Sequence, residues 1–259
     1  MKVFAIADLH LSLRDGVLSK PMDRFGAHWK DHHVRIAEDW DARVDAGDIV
    51  LLPGDLSWAL KPHEVAEDLA WIHARPGRKV LLKGNHDFWM PSRRKLLDLL
   101  PPSIMLIQHD ALLLDGVLLF GTRLWIIPEL SFPIAWTDVD DRPPAPGSDL
   151  DAAEKKARDE KLLQRELGRL QLSIDAARKH REAGSVACCL AMTHFPPTDF
   201  SARKTAATEL IAQLQPDGCV FGHLHQLASG PPSVTRDGIV YRLTSCDFLD
   251  FRLAEIAEL

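Results

Sequence analysis

Seven short apolar runs constrain the fold of this chain more than any other feature of its sequence. Each has the length of a β-strand, is rich in β-branched or large apolar residues, and is bounded by Gly, Pro or Asp. They are KVFAIA (2–7), DIVLLP (48–53), KVLLK (79–83), IMLIQ (104–108), VLLFG (117–121), VACCLAM (186–192) and GCVFG (218–222). Because runs that are apolar on both faces fit a sheet covered on both sides, the pattern predicts an α/β protein.

Helical patterns lie between several of these runs. Residues 29–46, 62–74 and 92–100 are predicted as helices, the last stopped by Pro101 and Pro102. The longest helical pattern covers 151–183, and its apolar residues recur at a 4-3-4-3 spacing that places them on one stripe. The stripe consists of Leu163, Leu167, Leu170, Ile174 and Ala177. It predicts a helix packed on the domain surface, with a cap over the active site or a dimer seam as the alternatives.

Two further segments complete the predicted organisation. Residues 128–149 carry five prolines and several acids, which favours a lid or binding loop over a plain connection. Near the C-terminus, Asp237-Gly238 predicts a hairpin, and one more strand is expected in the last residues. No domain boundary is apparent, so we expect a single domain over 1–259, with about 128–183 as its candidate lid or cap.

Bulk properties exclude several classes of protein. A net charge of −6 disfavours general nucleic-acid binding, which needs a basic excess. The first apolar run is too short for a signal peptide, and no stretch reaches the ~18 apolar residues of a membrane span. We therefore expect a cytoplasmic protein with no membrane partner. The four cysteines form no CxxC pair, which favours core packing over a zinc site or disulfides.

Polar residues follow five of the apolar runs at the point where each run ends. The sequence there reads IADLH, LLPGDLSW, LLKGNHD, LAMTHFPP and VFGHLHQ. In α/β sheets the carboxyl ends of strands form the edge at which ligands bind. We therefore expect these five ends to bring their polar side chains to one rim.

The side chains at this rim form a mixed set of nitrogen and oxygen donors without thiolates. Such a set suits Mn, Fe, Zn or Co. A pair of divalent ions needs about eight protein and solvent ligands. Seven residues are available if Asp55 bridges the ions: Asp8, His10, Asp55, Asn85, His194, His223 and His225.

The order and identity of these residues resemble the calcineurin-like metallophosphoesterases. The matching motifs are Asp8-x-His10, Gly54-Asp55, Gly84-Asn85-His86-Asp87, His194 and Gly222-His223-Leu224-His225. The resemblance implies a four-layer α/β/β/α sandwich of two mixed sheets flanked by helices. One metal ion would then be held by Asp8, His10, Asp55 and His225, and the other by Asp55, Asn85, His194 and His223. His86 would lie beside the substrate, with Asp87 orienting its ring.

This resemblance implies hydrolysis of a phosphoester, either a diester or a monoester. The cofactors would be two divalent ions, with Mn or an Fe/Zn pair favoured over Co or Mg. A metal-activated hydroxide would attack phosphorus, and His86 would act as the general acid. The substrate would be a phosphorylated small molecule or a nucleotide.

The motifs are also compatible with other functions. A nuclease of the same superfamily and a non-catalytic metal-binding scaffold are both compatible with the motifs, and a dimer is compatible with the 151–183 helix. Substrate preference would be set by loops. The candidate selectors are Trp58, Phe88-Trp89, Arg123 with Trp125, the loop 128–149, and Arg203 or Lys204 in the segment 195–204.

Overall fold

The protein forms two large β-sheets with helices outside them. The structure, a computed structural model, describes residues 1–90, 92–133, 152–227 and 229–259. The strands are β1 (Lys2–Ala5), β2 (Leu13–Arg14), β3 (Val17–Leu18), β4 (Ile49–Leu52), β5 (Arg78–Leu82), β6 (Ile104–Ile107), β7 (Ala111–Leu114), β8 (Val117–Thr122), β9 (Cys188–Thr193), β10 (Gly218–Phe221), β11 (Ser233–Arg236), β12 (Ile239–Leu243) and β13 (Ala254–Glu258). The helices are α1 (His32–Arg43), α2 (Ala66–Ala74), α3 (Arg93–Leu97), α4 (Ala152–Ala183) and α5 (Ala206–Ala212).

Both large sheets are mixed. The first has the order β13-β1-β4-β5-β6, in which only β13 is antiparallel to its neighbour. The second has the order β11-β12-β10-β9-β8-β7, in which the outer strands β11 and β7 are antiparallel to theirs. Strands β1, β4, β5, β9 and β10, which precede the polar motifs, are central and parallel within their sheets, so each sheet presents these motifs along a single edge.

Three apolar clusters separate the layers. Alternate residues of a strand point to opposite faces, so Phe4 packs towards α1 and α2 while Val3 packs between the sheets. Beyond the second sheet, Phe120 packs with Leu170 and Ile174 of α4. Helix, sheet, sheet and helix follow one another, which confirms the predicted four-layer α/β/β/α sandwich.

The apolar stripe of α4 lies against the second sheet. Leu170, Ile174 and Ala177 are fully buried there and Leu163 is nearly so, while Leu167 packs at the margin. The helix contacts β7, β8 and α5. Packing on the domain, the primary prediction for this stripe, is thus confirmed. The loop predicted over 128–149 lies mostly outside the described residues.

The other helix boundaries differ from the predicted ones. Helix α1 is shorter than 29–46, because 3₁₀ turns precede it, and the 62–74 segment divides into a 3₁₀ turn at Pro62–Glu64 and α2. The predicted 92–100 helix keeps only the five residues of α3. The C-terminal hairpin β11–β12 and the final strand β13 are confirmed.

The cysteines pack in the core, as expected. Cys188 faces the layer between the sheets and Cys189 the layer beneath α4, and all four are free and buried. Within the described ranges, no helix is long and apolar enough to cross a membrane.

Candidate metal centre

The structure brings all seven predicted ligands together at one edge of the two sheets. Asp8 and His10 follow β1, Asp55 follows β4, and Asn85 follows β5. From the second sheet, His194 follows β9 and both His223 and His225 follow β10. Five of them are buried, and Asn85 and His223 are half-buried.

Four of these residues have backbones in the left-handed region. Their φ angles are 61° at Asp8, 45° at His10, 54° at Asp55 and 73° at His223. A non-glycine residue rarely adopts such a φ, and strain of this kind concentrates at functional sites, where surrounding structure holds it. The strand ends are therefore bent sharply so that their side chains converge.

A first cluster joins Asp8, His10 and His225, whose candidate ligand atoms all lie within 4.8 Å of one another. The Nε2 atoms of the two imidazoles are 3.2 Å apart. His225 is held by Asp247, whose Oδ1 accepts a hydrogen bond from its Nδ1 at 2.9 Å. The Nδ1 of His10 is buried and has no hydrogen-bond partner in the described part of the chain.

A second cluster joins Asp8, Asp55 and His194 within the same 4.8 Å limit. His194 Nδ1 donates to the carbonyl oxygen of Pro53 at 2.9 Å, which leaves Nε2 facing the site. That Nε2 lies 2.6 Å from Asn85 Oδ1 and 3.3 Å from Asp55 Oδ2. These contacts link the residues assigned by resemblance to the second ion.

Asn85 also connects His223 to this cluster. Its Oδ1 lies 3.1 Å from His223 Nδ1, while the backbone N–H of His223 donates to Asp8 Oδ2 at 2.9 Å. His223 thus lies where the two clusters meet.

The residue shared by both clusters differs from the expected one. We predicted Asp55 as the bridge, but in this geometry Asp8 belongs to both clusters and Asp55 to the second alone. The bridging role of Asp55 stays a prediction, and Asp8 is a second candidate for it.

Burial and mutual charge shift the pKa values of these groups. Burial raises the pKa of Asp8 to about 6 and lowers the pKa of His10 well below its usual value. Burial opposes the charged form of Asp55 too, but the adjacent His194 outweighs it and holds the pKa of Asp55 well below its ordinary range. For His225, burial is outweighed by Asp247 and Asp8, which raise its pKa to about 10. Metal ions would take the place of such bound protons, because ligating groups must be deprotonated.

Comparison with known proteins identifies the family. The family described as calcineurin-like phosphoesterase matches residues 1–227, which is most of the chain. The chain belongs to this family.

Curated relatives match over shorter segments. The gene 66 protein of Mycobacterium phage L5 is 35% identical over 80 residues, which are 31% of this chain and 38% of the phage protein. The gene 66 protein of Mycobacterium phage D29 is 42% identical over 57 residues, which are 22% and 28% of the two chains. The match thus spans well under half the length of either phage protein.

Two solved structures align with nearly the whole chain at low similarity. The protein of unknown function AQ665 from Aquifex aeolicus is 15% identical with a TM-score of 0.45, over 98% of this chain and 95% of its own. The phosphopantetheinyl hydrolase PptH from Mycobacterium tuberculosis is 18% identical with a TM-score of 0.47, over 100% and 96%.

The donor set of the calcineurin-like site fits divalent metal ions. Imidazole, carboxylate and amide donors converge, as required for Mn, Fe or Zn. The facing Nε2 atoms of His10 and His225 are polar groups that an ion in the first cluster would satisfy. In the second cluster, the orientation of His194 by a backbone carbonyl is typical of metal-ligating histidines.

Gly84 explains how the two strand ends of the first sheet approach each other. A Cβ at this position would lie 2.0 Å from Asp55 Oδ1 and 2.4 Å from the Asp55 backbone nitrogen. Such distances do not occur between non-bonded atoms, so a side chain here would push Asp55 out of the site. The glycine in the GNHD motif is needed for this close contact.

Asp87 has a different role from the expected one. We predicted that it orients His86, but its carboxylate accepts hydrogen bonds from the backbone N–H groups of Asp55 (2.9 Å), Leu56 (3.0 Å) and Gly84 (2.8 Å) and from Trp89 Nε1 (3.0 Å). No hydrogen bond to His86 occurs among the described residues. With its acceptor positions taken, Asp87 ties the loops after β4 and β5 together.

His86 lies beside the first cluster. Its ring centroid is 5.6 Å from that of His10 and 4.7 Å from that of Trp58. Trp58 in turn stacks on His10 with centroids 4.7 Å apart. Trp58, a candidate selector from the sequence, therefore lines the site itself.

Four further candidate selectors are engaged elsewhere. Trp89 is fully buried and bonded to Asp87, Arg203 pairs with Asp199 at 3.0 Å, and Lys204 pairs with Glu209 at 2.6 Å. Trp125 is nearly buried and packs on Phe195.

Sequence reasoning missed Asp247. It follows β12 in the segment Thr244–Asp247, so it is one more carboxylate after a strand end, and that signal could have identified it. Its Oδ2 also accepts the backbone N–H of Gln226 at 3.0 Å, which fixes the segment after His225.

Proposed function

We propose that this chain hydrolyses phosphoesters at a two-metal centre, with His86 as the general acid. The seven proposed ligands are Asp8, His10, Asp55, Asn85, His194, His223 and His225. The observation that carries the proposal is the meeting of two buried nitrogen and oxygen clusters at Asp8. Membership of the calcineurin-like phosphoesterases supports the same class of reaction.

The chain's own residues orient the ligands and handle protons. Bound divalent ions, Mn or an Fe/Zn pair by preference, would supply a Lewis acid and an activated water. Asp247 and the Pro53 carbonyl fix the tautomers of His225 and His194, so that each directs Nε2 into the site. His86 is close enough to the first cluster to donate a proton to the leaving oxygen of a bound phosphoester.

The proposed substrate is a phosphorylated small molecule or a nucleotide. The net charge of −6 supports this choice over a nucleic acid. We further propose a cytoplasmic enzyme of one domain.

A substrate panel tests the proposal. Metal-loaded protein would be assayed on p-nitrophenyl phosphate, bis(p-nitrophenyl) phosphate, cyclic nucleotides and single-stranded DNA. We expect turnover of at least one phosphoester, its loss in Asp55→Asn, and unchanged activity in Asp98→Asn, where the carboxylate is exposed. Activity on the bis ester alone would identify a phosphodiesterase, and preference for DNA would identify a nuclease. No turnover of any substrate with metals bound would contradict the proposal and favour a non-catalytic scaffold.

A further inference from the structure

A cavity of about 250 Å³ lies at the sheet edge that carries the candidate metal centre. The ends of β5, β6 and β8 and the middle of α4 form its walls. In the first sheet, β5 and β6 are neighbours. In the second sheet, β8 is the neighbour of β9, the strand that precedes His194. The cavity therefore opens at the same sheet edge as the metal centre, towards the β6 and β8 side. Its polar lining includes Lys83, Gln108, Arg123, Arg165, Glu166 and Arg169.

Positive charge exceeds negative charge in this cavity. Three guanidinium groups approach the single carboxylate of Glu166: Arg169 at 2.6 Å, Arg123 at 3.2 Å and Arg165 at 3.7 Å. The side chain of Glu166 is only 1% exposed, so solvent contributes little to the balance. One carboxylate cannot neutralise three guanidinium groups.

Lys83 adds a fourth positive charge. Its ammonium group has no carboxylate partner in the described ranges, although the residue is half-buried. The nearby Asp110 does not compensate, because it pairs with Arg93 at 2.6 Å. Concentrated, partly buried charge of one sign is unfavourable unless an opposite charge joins it.

The hydrogen-bond donors suit an oxyanion. Guanidinium groups present paired N–H donors whose geometry matches phosphate oxygens. Each of the three arginines approaches Oε1 of Glu166 through one nitrogen, and Thr122 donates to Oε2 at 2.9 Å. Their other N–H groups can therefore donate to a ligand.

Backbone connections tie the cavity to the metal ligands. Lys83 directly precedes the Gly84-Asn85 segment. The carbonyl of Arg123 accepts the backbone N–H groups of His194 at 3.2 Å and of Phe195 at 2.9 Å. Lys83 and Arg123 therefore belong to the same segments as the proposed ligands Asn85 and His194.

We propose that this cavity binds a phosphate-type oxyanion beside the metal centre. Two sources share this chemistry: a second phosphoryl group of the substrate, or free phosphate. The first source rests on the proposed function, whereas the binding of the anion itself does not.

Anion binding to metal-free protein tests the site without any activity. Chelator-treated protein would be titrated calorimetrically with inorganic phosphate and pyrophosphate at constant ionic strength. We expect saturable binding that weakens by about tenfold in Arg165→Gln and in Lys83→Gln, since each removes a charge-assisted contact. The matched control is Lys161→Gln, an exposed lysine one turn before Arg165 that does not line the cavity.

If the metal-free wild type shows no saturable binding at millimolar phosphate, or if Arg165→Gln binds as tightly as wild type, the cavity is not an oxyanion site. Arg165 is half exposed and makes the longest contact to Glu166, so its replacement disturbs folding least. Thermal unfolding would verify that each variant is folded.

Kinetics with bound metal then distinguish the two sources. If the anion belongs to the substrate, Arg165→Gln raises KM about tenfold for a nucleoside diphosphate and leaves KM for p-nitrophenyl phosphate unchanged. If the anion is free phosphate, both KM values stay the same in Arg165→Gln. Added phosphate should then change the turnover of the wild type but not that of Arg165→Gln. Either result supports the site. Failure of the proposed function would appear separately, as absent turnover with phosphate binding retained.

Discussion

His86 is the residue for which structure and chemistry make the sharpest prediction. It lies beside the first cluster without belonging to it. We expect His86→Ala to keep the bound metal but to turn over substrate ~10²–10⁴-fold more slowly, since a general acid usually contributes this factor to the rate. The loss should be larger for an alkyl than for an aryl phosphoester, because a poor leaving group depends more on protonation. Metal analysis and rates on both substrates would measure this, with His63→Ala on the surface as control. Equal losses on both substrates would argue against the acid role.

Asp247 is a positioning residue with a second prediction at this scale. Its carboxylate holds His225, so Asp247→Asn should weaken metal binding by about 10–100-fold. The matched control is Asp250→Asn, because that carboxylate is largely exposed and pairs with Arg35 on the surface. Calorimetric titration with Mn²⁺ would compare the two variants. Equal affinities would contradict the positioning role.

The convergence of the seven proposed ligands could be predicted from the sequence because each follows a strand end. The role of Asp87 could not, since its hydrogen bonds reach backbone groups about 30 residues earlier in the chain. Spacing in the sequence shows which side chains leave a strand, but it does not show which amides they will bind.

At the scale of elements, two glycines differ in how closely other atoms surround them. Gly84 lies against Asp55, whereas Gly168 lies on the exposed face of α4 with no atom within 4 Å of an added Cβ. We expect Gly84→Ala to destabilise the protein by about 1–3 kcal/mol and to abolish metal binding. Gly168→Ala should stabilise it by about 0.5–1 kcal/mol, because alanine restricts the unfolded chain. Urea unfolding of both variants would measure these changes. A stabilising Gly84→Ala would contradict the described contact.

Strand prediction succeeded where apolar runs were long and failed for short hairpins. Asp237-Gly238 was used to predict β11–β12. The same dipeptide occurs at Asp15-Gly16 between β2 and β3 and at Asp115-Gly116 between β7 and β8, where both residues have positive φ. These two hairpins were available from the sequence by the same argument. Helix α5 was not, because seven residues give too short a period to recognise.

At the scale of the whole molecule, a buried acid couples stability to pH. Asp68 of α2 accepts hydrogen bonds from the Leu13 backbone N–H at 2.7 Å and from Ser57 Oγ at 2.5 Å. Burial raises its pKa from 3.8 to about 6. The folded state therefore binds this proton more tightly than the unfolded state. The contribution of protonated Asp68 to the free energy of unfolding is full below pH 4 and is lost as pH rises towards 6.

Asp68→Asn should remove this dependence. Relative to wild type, the variant should gain stability between pH 4 and 6, by at most ~3 kcal/mol. Urea unfolding of metal-free protein across that range would measure the difference, and other titrating groups such as Asp8 cancel between the two proteins. Parallel curves would show that Asp68 is not the buried acid described.

The α/β class followed from the sequence because both faces of the central strands are apolar, and the four-layer arrangement followed from the family resemblance. The residue shared by the two clusters did not follow, because it depends on distances of a few ångströms between segments far apart in the chain. Those distances are fixed by packing of the whole molecule.

The number of bound metal ions is the strictest check on the two-metal centre. Purified protein would be loaded with Mn²⁺, freed of excess ion by gel filtration, and analysed for metal per chain. A two-metal centre should give about two ions for wild type and for Asp98→Asn, and a loss at both positions for Asp8→Asn, because Asp8 belongs to both clusters. Wild-type protein that retains no ion, or an Asp8→Asn variant that retains both, would contradict it.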